Sequence, residues 1–271
     1  MSFAELFNAL FFAAIALAAW FVPLSFHRRI TVCAMGSVGI AVCLLMSSSP
    51  AFLTERSSRQ LRTWVPVLLI LLAYYQSGRL FNEPWRKFET FLLKLDRKLL
   101  GPLCRNPEET RIHPVLSGYL EISYLACYVL VPAALAVLVI TAPPVGTERF
   151  WMAVLPATYI CYALIPLFPA FPPRLLNSVR AAGIHPTGAR ALNLWILRHA
   201  SIQANTFPSA HVAACTSASL VVFQHHAWTG IGFLWITLSI AIAVVIRRYH
   251  YLADAVLGIA VPFAFFAFMK A

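Results

Sequence analysis

Long apolar runs separated by short polar stretches recur along almost the whole chain. A run of roughly 20 apolar residues can cross the hydrocarbon core of a bilayer as a helix, whereas an open strand cannot satisfy its backbone hydrogen bonds in lipid. The pattern therefore predicts spanning helices at residues 3–26, 30–53, 63–78, 114–141, 149–170, 207–226, 228–246 and 250–269. The third run is short and contains Pro66, so we predict about eight spans, with seven as the alternative.

The polar stretch between the third and fourth runs has a different periodicity. An apolar stripe opposite a cationic one is typical of an amphipathic helix that lies in the membrane interface. The pattern fits a strut on the membrane surface and a roof over a functional site equally well. The alternating positions are Trp85, Phe88, Phe91, Leu92, Leu95 and Leu99 on the apolar side and Arg86, Lys87, Lys94, Arg97 and Lys98 on the cationic side.

These elements predict an all-α fold, a polytopic transmembrane helix bundle with one interfacial amphipathic helix. We expect residues 1–271 to form one membrane domain, with N-terminal spans at 1–78, the interfacial helix region at 79–112 and a bundle at 113–271 that carries the candidate chemistry. Composition agrees, because 60% of the residues are hydrophobic and only 11% are charged, which is far from the average of a soluble domain.

The net charge of +11, from 21 Lys and Arg against 10 acids, concentrates cations in the few polar stretches. Setting the topology and attracting anionic lipids explain most such residues, and phosphate binding is the sharper alternative. The six cysteines include no CxxC pair, so we predict no disulfide framework, metal site or cofactor. We expect membrane lipids as partners and no nucleic acid.

Three patches of polar and aromatic residues stand at the ends of apolar runs. They are 168–174 at the end of the fifth run, 207–211 at the start of the sixth and 247–254 at the start of the eighth. The fifth run ends and the sixth begins on one membrane face, and the sixth and seventh runs form a return crossing. All three patches are therefore predicted to meet at the same membrane surface.

The third patch contains a candidate catalytic pair. His250 and Asp254 are four residues apart, a spacing that places two side chains within contact on one side of a helix. A carboxylate beside an imidazole fixes its tautomer and stabilises the positive charge that develops when the ring attacks an electrophile. His250 is thus a candidate nucleophile. The alternative is a membrane-edge pair that only compensates the burial of its two groups.

The other patches supply candidate anion ligands. Arg174, Arg247 and Arg248 carry guanidinium groups, which form forked, charge-assisted bonds to phosphate oxygens. Ser209 and the N–H groups of a helix start form a natural anion site, and His211 lies one turn further along. We therefore predict His250, Asp254 and His211 as catalytic and Arg174, Arg248, Ser209 and Arg247 as phosphate-binding residues.

At these residues the sequence resembles the type 2 phosphatidic acid phosphatase superfamily. Pro208 to His211 reads Pro-Ser-Ala-His and is similar to the PSGH motif of that superfamily, with Ala for Gly, and His250 to Asp254 is similar to the end of its SRxxxxxHxxxD motif. The Ser and Arg of that motif correspond here to Ala243 and Val244, which leaves Arg248 as the expected substitute. Leu167 stands where its KxxxxxxRP motif has lysine.

The sequence further resembles the branch that contains inositol phosphorylceramide synthase and its bacterial relatives. The segments that carry this likeness are Pro172 to Arg174, Arg248 to Tyr251 and Leu95 to Arg97. The resemblance implies a metal-independent lipid phosphatase or phosphotransferase with a phosphohistidine intermediate. His250 would attack a lipid phosphate or diphosphate, Asp254 would orient the ring, and the arginines would neutralise the phosphate.

Alternatives stay open at this point. The acceptor could be water, or a lipid hydroxyl that receives a phospho-alcohol such as phosphoinositol. A membrane transporter with Glu121 as its main ionisable residue within a span, or a non-catalytic lipid-binding protein, would belong to another functional class. We expect an integral protein of a bacterial inner membrane. The cation distribution favours a cytoplasmic site, the resemblance implies the outer face, and we predict the outer face.

Overall fold

The structure is a computed structural model, described here for residues 1–48, 54–101, 112–142, 144–176 and 188–270. Within these ranges the chain forms eleven helices and no strand, which confirms the all-α prediction. The helices are α1 (Phe3–Ala18), α2 (Phe26–Ser47), α3 (Glu55–Gly78), α4 (Arg86–Leu100), α5 (Pro114–Thr141), α6 (Val145–Ala163), α7 (Pro173–Leu176), α8 (Gly188–Ala200), α9 (Ala210–His225), α10 (Ala227–Ile246) and α11 (Leu252–Lys270).

Three helices, α2, α5 and α10, are long and apolar enough to cross a membrane, and they fit an integral membrane protein. Helix α1 and residues Leu252–Ala267 of α11 form shorter apolar helices. A helix overlaps each predicted run, yet the count of about eight spans is not confirmed. Helix α9 has only 16 residues, and the apolar part of α3 is flanked by polar residues at both ends of the helix.

Helix α9 lies at the centre of the bundle and packs against α5, α6, α10 and α11. Small residues allow neighbouring helix backbones to approach closely. The turn from α9 to α10 is equally tight, since a Cβ at Gly230 would lie 2.2 Å from the Cα of Phe223. The buried small residues of α9 are Ala210, Ala213, Ala214, Cys215, Ser217, Ala218 and Ser219.

Helix α4 occupies the region predicted as an interfacial amphipathic helix. Its cations Lys87, Lys94, Arg97 and Lys98 are exposed, as are the apolar side chains of Phe91 and Leu99, whereas Glu89, Leu92 and Asp96 are buried. The face that α4 turns towards the protein is therefore marked by two carboxylates and not by the apolar stripe alone. Residues 102–111 of the predicted region lie outside the described residues.

Glu89 and the backbone at the start of α4 contact the 168–174 patch. Glu89 Oε1 accepts a hydrogen bond from the backbone N–H of Phe171 at 2.8 Å, and the N–H of Trp85 donates to the carbonyl of Pro169 at 2.7 Å. Helix α4 is thus attached to the 168–174 patch.

Candidate active site

A cavity of about 390 Å³ lies between α3, α5, α6, α8 and α9. Arg174, His211 and His250, one from each of the three patches, line it together. Thr158, Ser201 and Thr206 add hydroxyl groups to the wall. Most of the other lining residues are apolar or aromatic and include Val67, Ile70, Leu71, Tyr74, Tyr75, Tyr124, Tyr128, Val131, Pro132, Tyr162, Ile196, Leu197 and Tyr249. The cavity therefore combines one polar cluster with a largely hydrocarbon-like interior.

His250 and Asp254 contact each other at this cluster. Nδ1 of His250 lies 3.2 Å from Oδ2 of Asp254, which confirms the predicted contact. The same Oδ2 accepts the side-chain amide of Asn205 at 2.8 Å and the backbone N–H of Tyr251 at 3.0 Å. Because the carboxylate engages Nδ1, the ring nitrogen left for the cavity is Nε2.

His211 lies on the first turn of α9, beside His250. Their ring centroids are 6.2 Å apart. The rings of Tyr124 and Tyr128 meet the His211 ring edge to face, with centroids 6.3 and 5.7 Å away. These aromatic contacts fix the orientation of the second imidazole towards the space that His250 also faces.

Arg174 differs from the other buried or half-buried arginines near the site. Its Nη2 donates to Oγ of Ser201 at 3.2 Å and lies 3.5 Å from Oε1 of Gln203. Within the described ranges, no carboxylate lies at ion-pair distance from Arg174. Burial lowers the pKa of this guanidinium, but arginine remains charged in proteins. Among the described residues, only neutral groups contact this positive charge.

The structure places the remaining predicted phosphate ligands away from the cavity wall. Nη1 of Arg248 lies 2.6 Å from Oδ2 of Asp96, and Nε of Arg247 pairs with Glu121. Neither arginine is among the lining residues. These ion pairs explain why Arg247 and Arg248 do not face the cavity as phosphate ligands. A buried guanidinium beside a carboxylate is already neutralised.

Ser209 also has a structural role at the start of α9. Its buried side chain caps the helix by accepting the N–H of Val212 at 3.5 Å, while Thr206 Oγ1 accepts the N–H of Ala210 at 3.1 Å. The N–H of Ser209 itself donates to the carbonyl of Asp254 at 2.9 Å. The N–H groups that the sequence suggested for an anion thus already have protein acceptors. These acceptors are the side chains of Ser209 and Thr206 and a backbone carbonyl of α11.

A family model described as the PAP2 superfamily matches residues 90–268. The chain belongs to the PAP2 superfamily. Membership suggests a phosphatase or phosphotransferase, and it confirms the superfamily resemblance seen in the short motifs. The resemblance to the inositol phosphorylceramide synthase branch is not confirmed. No curated protein and no solved structure matched the chain.

Several residues at this candidate site were not predicted from the sequence. Asn205 holds Asp254, Ser201 and Gln203 hold Arg174, and Tyr124 and Tyr128 hold His211. None of them carries a spacing signal, because each contacts a partner from another helix or loop. The described residues of the PAP2 chain include no group of three or more His, Cys, Asp or Glu side chains placed to hold a metal ion.

Proposed function

We propose that the chain is a metal-independent lipid phosphatase or phosphotransferase that acts through a phosphohistidine at His250. One observation carries the proposal: a largely apolar cavity is lined both by His250, which contacts Asp254, and by Arg174, which has no carboxylate partner among the described residues. Arg174 can bind a phosphate group, and the apolar walls of the cavity can bind a hydrocarbon chain. A lipid phosphate or diphosphate contains both.

The reaction would proceed by in-line displacement at phosphorus. Nε2 of His250 donates its electron pair and forms the N–P bond while the bond from phosphorus to the leaving oxygen breaks. The carboxylate of Asp254 stabilises the positive charge on the ring. His211 gives a proton to the leaving oxygen. It then takes a proton from water or an alcohol, whose oxygen bonds to phosphorus while the N–P bond breaks and frees Nε2 of His250.

Arg174 is proposed as the direct phosphate ligand. Stabilising charge on the transferred phosphoryl group is the main task in this class of reaction, and Arg174 has no carboxylate partner within the described ranges. Arg247, Arg248 and Ser209 would support the site from behind, through the contacts that hold the 247–251 loop and the start of α9.

The structure also bears on the transporter alternative. A transporter is expected to place ionisable residues within a span facing a substrate path. Glu121 of α5 is only 1% exposed, and its carboxylate contacts Arg247, Asn193 and Tyr249. Its charge is compensated inside the protein, so it does not favour a transport path. A non-catalytic lipid-binding protein would need Arg174 but would have little need of a His–Asp pair beside a second histidine.

Phosphate release by the purified protein tests the proposal. We expect turnover of a short-chain lipid phosphate in detergent, and we expect it to survive an excess of a chelator, because the proposed mechanism draws its charge stabilisation from arginine. A parallel reaction with added acceptor alcohols separates hydrolysis from transfer. No phosphate release or transfer with any lipid phosphate or diphosphate would contradict the enzyme, and loss on chelation that one divalent ion restores would contradict metal independence.

Arg174→Ala is expected to lower kcat/KM by about a hundredfold to a thousandfold, the usual effect of removing one preorganised charge from a transition state. The matched control is Arg198→Ala, since Arg198 is exposed on α8 and outside the cavity lining. Steady-state kinetics of both variants in the same detergent provides the measurement. Equal kinetics for Arg174→Ala and the wild type would remove Arg174 from the site.

A further inference from the structure

The loop between α10 and α11, residues 247–251, carries His250 in a sharply turned backbone. The N–H groups of Tyr249 and His250 both donate to the carbonyl of Val244, at 2.8 and 2.9 Å. Arg248 has a φ of 62°, in the left-handed region that a residue with a Cβ seldom adopts. A loop in this conformation needs contacts with the surrounding protein to hold it.

Asp96 of α4 contacts the 247–251 loop region on both sides of His250. Its Oδ2 accepts a hydrogen bond from Nη1 of Arg248 at 2.6 Å, and its Oδ1 accepts the backbone N–H of Leu252 at 3.0 Å. Leu252 is the first residue of α11, where backbone N–H groups lack partners within the helix. Asp96 is 0% exposed and Arg248 is 2% exposed, so water does not compete for these contacts.

Glu121 of α5 holds the same loop through two other residues. Its Oε1 accepts a hydrogen bond from Nε of Arg247, and its Oε2 accepts the hydroxyl of Tyr249 at 2.6 Å. Tyr249 in turn stacks on Tyr124, with ring centroids 4.0 Å apart. Glu121 is 1% exposed.

The two carboxylates therefore alternate along the loop: Glu121 holds residues 247 and 249, and Asp96 holds residues 248 and 252. His250 itself hydrogen-bonds to neither carboxylate. Its ring contacts Asp254 and lines the cavity. We infer that Asp96 and Glu121 are positioning residues, which fix the ring of His250 by fixing the residues around it. The inference rests on the proposed function, because it assigns these contacts a part in the reaction at His250.

A purely structural role is the competing explanation, and the chain contains a matched control for it. Glu5 of α1 is 6% exposed and lies 3.3 Å from Nε of Arg62. Like the other two, it is a buried carboxylate paired with an arginine. It contacts the start of α3, whereas the end of α3 lines the cavity, so it belongs to the opposite end of the bundle.

The test compares Asp96→Asn, Glu121→Gln and Glu5→Gln with the wild type. Thermal midpoints and the kcat and KM for a short-chain lipid phosphate are measured in one detergent, and kcat is expressed per folded molecule. All three variants are expected to lose thermal stability, because each removes the charge of a buried carboxylate that pairs with an arginine. Asp96→Asn and Glu121→Gln should also lose on the order of ten- to hundredfold in kcat, as small misplacements of a reacting group do, with KM little changed.

Glu5→Gln should keep the wild-type kcat. An unchanged kcat per folded molecule in Asp96→Asn and Glu121→Gln would overturn the inference. Should a neutral variant not fold, Asp96→Glu and Glu121→Asp keep the charge but move the carboxylate by one methylene. Positioning then predicts folded protein with lowered kcat, and a structural role predicts wild-type kcat. An inactive wild type would contradict the proposed function itself, which distinguishes the two failures.

Discussion

His250→Ala is expected to abolish turnover, with kcat lower by about ten-thousandfold or more, as when other covalent catalysts lose their nucleophile. The substitution removes the atom that would bond to phosphorus. It should leave the fold intact, because the ring of His250 lies against the cavity and the loop around it is held through its neighbours. Phosphate release and the thermal midpoint, measured in the same detergent, check both parts of this expectation.

The control for this variant is His199→Ala. His199 is exposed on α8, its Nδ1 lies 2.8 Å from the carbonyl of Trp195, and it is not among the residues that line the cavity. We expect it to retain wild-type kinetics. If His250→Ala also retained near-normal turnover in a folded protein, the covalent mechanism would have to be abandoned.

His211→Ala is expected to lower kcat by about a hundredfold to ten-thousandfold, the range for loss of a general acid and base. The effect should depend on the leaving group. A lipid alkoxide needs a proton as it departs, whereas nitrophenolate leaves without one, so the penalty on phosphorylation of His250 should shrink with a nitrophenyl phosphate. Pre-steady-state release of nitrophenol isolates that first step.

His225→Ala provides the control, since His225 lies at the opposite end of the same helix, α9. This variant should turn over the lipid phosphate and the nitrophenyl phosphate at the wild-type rates. Equal penalties for His211→Ala with the lipid phosphate and the nitrophenyl phosphate would argue against proton transfer by His211. That outcome would leave it a residue that only shapes the cavity.

Helix positions could be predicted well wherever hydrophobicity and helix ends coincide. The run at 114–141 has the same bounds as α5. The first run was extended to residue 26, yet α1 ends at Ala18, because apolar residues such as Phe21 and Val22 continue into the turn before Pro23. Hydropathy reports where lipid or core can surround a side chain, and it does not report where the backbone leaves the helix.

The pairing of His250 with Asp254 could be predicted from spacing, although the local structure was different from the one expected. His250 lies in the loop, and α11 begins only at Leu252. Asp254, in the first turn of α11, reaches back to the imidazole and to the N–H of Tyr251. A carboxylate near a helix start accepts local N–H groups in this way, so the contact survives the change in secondary structure.

The roles of the arginines could not be predicted in the same way. Arg247 and Arg248 are adjacent, and only their partners distinguish them from Arg174. Those partners, Glu121 and Asp96, are 126 and 152 positions away in sequence. The periodicity of a single helix cannot predict such ion pairs, because they depend on how α4 and α5 pack beside the 247–251 loop. In a single sequence, an arginine with a carboxylate partner and an arginine without one look alike.

A phosphohistidine at His250 is the central claim, and trapping it is the most direct test. Purified protein is mixed with a lipid phosphate carrying radioactive phosphorus, quenched within milliseconds in alkali and digested under alkaline conditions, since phosphohistidine is stable in alkali and labile in acid. The account predicts label that acid releases, located on the peptide that contains His250 and absent from His250→Ala. Turnover without any labelled protein, or acid-stable label on another residue, would contradict it.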